Sequence, residues 1–146
     1  MAHAQPVPRD EGVSRRMRSQ REFDTGIEVE LRKMLWRRGL RYRVHAQIIP
    51  GTRRKVDLVF PGAKVAVFID GCFWHGCPRH YTAPANNNDF WLKKVRANRT
   101  RDIDSFRRLR AAEWRVIRVW GHQDLANAAE KIEAIVRTRR SSRSGQ

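Results

Sequence analysis

Residues 56–70 read VDLVFPGAKVAVFID. Two short apolar runs flank Pro61-Gly62, a pair that favours a turn, so the stretch predicts a β-hairpin with strands at Val56–Phe60 and Lys64–Asp70. Asp57 stands inside the first strand, with Val56 and Leu58 expected to point away from it. A carboxylate among apolar neighbours is costly unless a cation or strong donors meet it. Asp57 is therefore either paired with one of the chain's many arginines or a ligand of a hard cation. Asp70 ends the second strand, so the two carboxylates can converge at one end of a sheet. Mg²⁺ uses such an arrangement when it also binds phosphate oxygens.

Towards the N-terminus, Tyr42–Gln47 predicts a third strand. A helix is expected from Asp24 or Thr25, because Ile27, Leu31, Met34 and Leu35 share one face and Gly39 follows as a stop. Its opposite face carries Arg32, Lys33, Arg37 and Arg38. Glu28 has two readings: a capping-box residue in Thr25-Gly26-Ile27-Glu28, or a third carboxylate for the metal. Towards the C-terminus, Asp89–Arg110 has a helical pattern whose apolar stripe is interrupted over Arg96–Arg101, marking either a break or a functional face. Glu113–Trp120 predicts a buried strand, and Ala126–Arg137 a closing helix with Ile132, Ile135 and Val136 inward. The expectation is one α/β domain, a central mixed sheet flanked by helices, over residues 23–137. A flexible arm at 1–22 precedes it and a disordered basic tail at 138–146 follows.

The chain carries 31 Lys and Arg against 15 Asp and Glu, a formal net charge of +16. Such a field concentrates polyanions, so nucleic acid is the leading partner class, ahead of a basic membrane-binding face or a generally basic surface. No run approaches the ~20 apolar residues of a membrane span, and the N-terminus lacks an apolar signal core; a cytoplasmic protein is expected. In a reducing compartment Cys72 and Cys77 read better as metal ligands than as a disulfide.

Residues 70–80 read DGCFWHGCPRH. Cys72, Cys77 and His80 have the spacing of a loop wrapped round tetrahedral zinc; two free thiols in a loop are the plainer alternative. Structural zinc sites normally have four protein ligands. His122, just past the strand ending at Trp120, is the candidate fourth, with His45 and His75 as competitors. The H-x-E and P-C-x-x-C signature of the zinc deaminases is absent. His75, held between the two cysteines, can exchange a proton near neutrality if the loop presents it to the carboxylates; it is otherwise a ligand or a surface residue. Phe73, Trp74 and Trp91 lie in polar surroundings near Asn86, Asn87 and Asn88, where flat side chains can wedge between base pairs or simply pack in a core.

Taken together, VDLVF, VAVFIDGCFWHGCPRH, NNNDFWLKKVRANRTRD and WRVIRVWGH resemble, in order and spacing, the Vsr very-short-patch repair endonucleases, over about residues 14 to 125. The resemblance implies a restriction-endonuclease-like α/β core, a catalytic Mg²⁺, a structural Zn²⁺, and hydrolysis of one strand of duplex DNA 5′ of the thymine in a T:G mismatch. It makes Asp57 the principal Mg²⁺ ligand, with the backbone carbonyl of Ile69 as a second contact, and His75 the proton-transfer residue. Glu28 supports the metal site, and Asn98 and Asp102 fall near the same centre. Phe73, Trp74 and Trp91 become wedges beside the mismatch, and Met17 an insertion from the opposite groove. The better-known members have Cys where this chain offers His122, and some have His where it has Asp70. The resemblance further implies a monomer in a bacterial, nucleoid-associated setting, with mismatch-repair proteins as candidate partners. The rival readings are a restriction-type or structure-specific nuclease of the same fold, and a zinc-stabilised DNA-binding module without activity.

Overall fold

The computed structural model describes residues 26–70 and 88–144, with side chains from 92 to 142 in the second stretch. Helix α1 covers residues 26–37. Three strands follow, β1 (Arg43–Ala46), β2 (Val56–Phe60) and β3 (Val65–Asp70). The long helix α2 (Asn88–Ala111), strand β4 (Arg115–Trp120) and helix α3 (Leu125–Ser144) complete the order. The sheet runs β1-β2-β3-β4. Its first two pairs are antiparallel and β3 lies parallel to β4. A parallel neighbour needs a crossover, and α2 lies in that connection.

Helix α1 ends where Gly39 adopts a left-handed φ of 83° and Leu40 N–H turns back to Leu35 O at 3.1 Å. Its buried residues, Ile27, Leu31 and Leu35, belong to the expected face, and Leu40 continues the burial past the stop. Leu31, Leu35 and Leu40 join Leu58, Phe60, Val65, Val67 and Val119 with Ile132 and Val136 of α3 in one apolar cluster. A second cluster joins Ile49, Val56, Val59, Ala66 and Phe68 to Phe106 and Leu109 of α2. The sheet thus has α1 and α3 on one face and α2 on the other.

Two expectations are corrected, those for β2 and for the C-terminal tail, and one alternative, for α2, is decided. Val56 was expected to share a face with Leu58, yet Val56 packs with Val59 and Leu58 packs with Phe60; the alternation of β2 breaks at Asp57. Helix α2 has no break over Arg96–Arg101. Its buried stripe instead changes character, from Leu109 and Phe106 through Ser105 to Asp102 and Asn98. The residues from 138 onward are not a disordered tail as far as Ser144, because α3 continues to that residue. Arg139 fastens the extension, donating to Ala63 O at 2.7 Å and to Glu113 O at 2.8 Å.

Candidate active site

The β2–β3 register runs Phe60↔Val65, Val59↔Ala66 and Leu58↔Val67. Beyond its last pair, Ile69 N–H donates to Asp57 Oδ2 at 2.8 Å. A side chain has replaced the backbone acceptor that a continuing ladder would supply. On the other edge of β2, the pairs Val44↔Leu58 and Ala46↔Val56 bracket Asp57 and put His45 opposite it. His45 has a left-handed φ of 49°, a conformation that costs a non-glycine residue roughly 1–2 kcal/mol. Both strands therefore leave regular geometry at the same level. Glu28, from the first turns of α1, closes the group: its Oε1 lies 2.8 Å from His45 Nε2. One ligand atom from each of Glu28, His45 and Asp57 lies within 4.8 Å of the others.

Asp57 is raised from 3.8 to about 6, first by its burial. The Ile69 N–H opposes the rise, the negative charges of Glu28 and Asp70 add to it, and His45 opposes it. The carboxylate is poorly compensated by the protein alone, which is the condition a bound cation relieves.

Asp70 and Asp102, only 4% and 9% exposed, are handled differently. Strand alternation sets Arg118 on the α2 face of β4, between the inward-facing Ile117 and Val119 of the opposite face. Its Nε lies 2.6 Å from Asp70 Oδ2 and its Nη2 2.8 Å from Asp102 Oδ2. The guanidinium also sits over the Trp120 ring, 4.1 Å from its centroid. Asp57, Asp70 and Asp102 share a cleft of about 290 Å³ with Arg54, Lys55 and Arg101. A larger cleft, about 770 Å³, is lined by Arg110, Glu113, Trp114, Arg115 and Arg139. It has a single carboxylate, whereas the smaller cleft brings together three, Asp57 with its raised pKa among them.

Of the expected site residues, the structure brings Asp57 and Glu28 together, with Ile69 bonded to Asp57 through its N–H. Asp70 and Asp102 border the same cleft, and Asn98 is buried one turn along α2 from Asp102. Glu28 engages His45 rather than appearing only as a cap. His45, weighed for zinc, faces Asp57 instead. His122 lies in the turn after β4, half-buried. Met17, Cys72, Phe73, Trp74, His75, Cys77 and His80 fall outside the described residues, as does the side chain of Trp91. Arg118 was missed, although a cation inside RVIRVW is the same kind of signal as Asp57 inside VDLVF.

A mixed α/β sheet whose end gathers carboxylates beside arginine and lysine suits a protein that acts on polyanions. A family model described as DNA mismatch endonuclease Vsr matches residues 9–80. The chain is 43% identical over 136 residues to the type II nicking enzyme V.NaeI of Lentzea aerocolonigenes, covering 90% of this chain and 82% of that one. It is 37% identical over 126 residues to the type II nicking enzyme V.NmeDIP of Neisseria meningitidis serogroup C, covering 83% of each. It is 36% identical over 128 residues to the DNA mismatch endonuclease Vsr of Escherichia coli (strain K12), covering 82% of this chain and 80% of that one. The chain belongs to the Vsr family of DNA endonucleases. No helix among the described residues is long and apolar enough to cross a membrane.

The raised Asp57 sets a pH signature. With its acidity shifted from 3.8 to about 6, the folded state binds more protons than the unfolded one between those values, so Asp57 makes the fold lose stability as pH rises through that window. Asp57→Asn keeps an acceptor for Ile69 N–H and removes the charge. Without divalent ions, the variant is expected to be more stable than wild type near neutral pH, by at most about 3 kcal/mol. The difference should vanish below about pH 4. Urea unfolding of both proteins across this range checks it; a difference independent of pH contradicts it.

Proposed function

We propose that this endonuclease nicks one strand of duplex DNA on the 5′ side of the thymine in a T:G mismatch, starting very-short-patch repair of deaminated 5-methylcytosine. The observation that carries the reading is Asp57, its pKa raised by burial, with Glu28 and His45 beside it and a cleft on its other side that Asp70, Asp102, Lys55 and Arg101 also line. The donor set suits a hard divalent cation such as Mg²⁺: two carboxylates of like charge, one of them with its pKa raised to about 6 by burial. Asp57 and Glu28 would hold it. The Ile69 carbonyl is a further ligand, since the N–H and C=O of one strand residue leave on the same edge and that N–H already meets Asp57. Bound there, Mg²⁺ supplies Lewis acidity to the scissile phosphate.

The remaining work belongs to the chain. Lys55 and Arg101 border the cleft with positive charge and hold the phosphate backbone, a term that sets affinity without reading sequence, while Arg54 beside them is paired with Asp104 at 2.6 Å. His75 moves the proton. Phe73, Trp74 and Trp91 wedge beside the mismatch while Met17 enters from the opposite groove, and a wobble pair costs less to unstack than a matched one. Zinc is held by Cys72, Cys77, His80 and His122. The parallel register supports this set: Asp70 pairs with Trp120, and Cys72 and His122 each follow two residues after those strand ends. The fourth ligand would then be tied to β4 and the other three to the segment after β3.

A second reading is favoured by two of the relatives above, which are type II nicking enzymes by name: a nicking enzyme whose target is not confined to T:G pairs. A panel of duplexes separates the two. With Mg²⁺, wild type is expected to nick T:G-mismatched DNA on the thymine strand, to leave the matched duplex intact, and to stop when the ion is chelated. Equal nicking of matched and mismatched duplexes would discard the mismatch reading. Metal analysis of the same protein is expected to find about one zinc per chain; folded, active protein without zinc would discard the proposed ligand set.

A further inference from the structure

We infer that His45 is a third side-chain ligand of the cation held by Asp57 and Glu28, and that its nitrogen makes the site bind divalent transition ions such as Mn²⁺ more tightly than Mg²⁺. This rests on the metal site proposed above and specifies it. Three observations carry it. First, the ligand atoms of Glu28, His45 and Asp57 come within 4.8 Å of one another. Two ligands of a single ion stand at most roughly twice a bond of 2.0–2.2 Å apart, so a shift of a few tenths of an ångström closes the group on one ion. Secondly, His45 departs from strand geometry, with a φ of 49° at the position opposite Asp57. A strained backbone at a non-glycine residue is retained where the surroundings gain from it. Thirdly, the side chain of His45 is 52% exposed against 15% for Glu28, so the group opens to solution on the imidazole side. That leaves a path by which an ion arrives, and the His45 side of the site free for a phosphate oxygen.

His45 Nε2 and Glu28 Oε1 are both ligand atoms by chemistry, and at 2.8 Å they are held together by a shared proton. A divalent ion takes the place of that proton, which a neutral imidazole then carries on Nδ1. A donor set of two carboxylates alone favours Mg²⁺, Ca²⁺ or Mn²⁺. Adding an imidazole raises affinity for the first-row transition ions over Mg²⁺.

The test uses Mn²⁺ on the full chain, with its zinc retained. His45→Asn removes the imidazole while suiting the left-handed backbone, because asparagine visits that region readily. In wild type, pulsed electron paramagnetic resonance of bound Mn²⁺ is expected to show coupling to ¹⁴N. In His45→Asn one nitrogen coupling is lost and Mn²⁺ binding weakens by roughly tenfold or more, whereas Mg²⁺ binding, followed by calorimetry, changes less than Mn²⁺ binding. Asp57→Ala should abolish binding of both ions. A ¹⁴N pattern identical in wild type and His45→Asn, or none in either, overturns the assignment of His45 while leaving the Asp57 site standing. Mn²⁺ and Mg²⁺ binding untouched by Asp57→Ala overturns the metal site itself, and His45 with it.

Discussion

A half-buried carboxylate inside an otherwise apolar strand is the constraint around which this endonuclease is arranged. Asp57 belongs to β2, whose other residues are fully buried, and its charge is disfavoured there by burial and by two more acids nearby. The fold answers with local irregularity. Regular pairing between β2 and β3 gives way to a side-chain acceptor for Ile69 N–H. β1 puts a left-handed histidine opposite the same residue. α1 delivers Glu28 from a helix whose neighbouring side chains, Ile27 and Leu31, are packed. The apolar clusters on both faces of the sheet keep these irregular points from relaxing, because Leu58, Val59 and Phe60 are fully buried directly after Asp57.

A few ångströms of sheet separate two treatments of negative charge. Asp70 and Asp102 share the guanidinium of Arg118, itself packed over Trp120. Removing that arginine would leave buried carboxylates without their main cation, which is far more costly than losing a surface pair. Asp57 has no comparable cation among its influences; only a backbone donor and His45 offset its burial. Asp70, at its strand end, is thus engaged by Arg118 while it borders the same cleft as Asp57. The charge left poorly compensated is the one available to an ion.

Much of this was legible in the sequence. The hairpin followed from two apolar runs about Pro61-Gly62, and Val56–Phe60 was bounded as observed. The α1 face followed from the spacing of Ile27, Leu31 and Leu35, and Asp57 from its chemical misfit. What escaped depends on register. His45 meets Asp57 only because β1 pairs at 44↔58 and 46↔56, and no local pattern fixes which strands are neighbours or in what offset. Arg118 reaches Asp70 across a parallel pair whose strands are separated in sequence by a long helix. The polar stretch of α2 looked like an interruption because Asn98 and Asp102 are hydrophilic; on the sheet they continue the buried stripe of Phe106 and Leu109. The end of α3 was hidden by composition: RTRRSSRSGQ looks disordered, yet Arg139 caps two carbonyls and the helix continues with it.

Affinity for DNA and cleavage of DNA should thus depend on different residues. Positive charge over the molecule, +16 in all, supplies attraction. In the proposed mechanism Asp57 would hold the cation that acts on the scissile phosphate. The most direct measurement is Asp57→Ala on a T:G duplex, with binding and nicking followed on the same protein. Nicking should be abolished while the dissociation constant stays close to that of wild type. An Asp57→Ala protein that cuts at the wild-type rate would contradict the central role of this carboxylate.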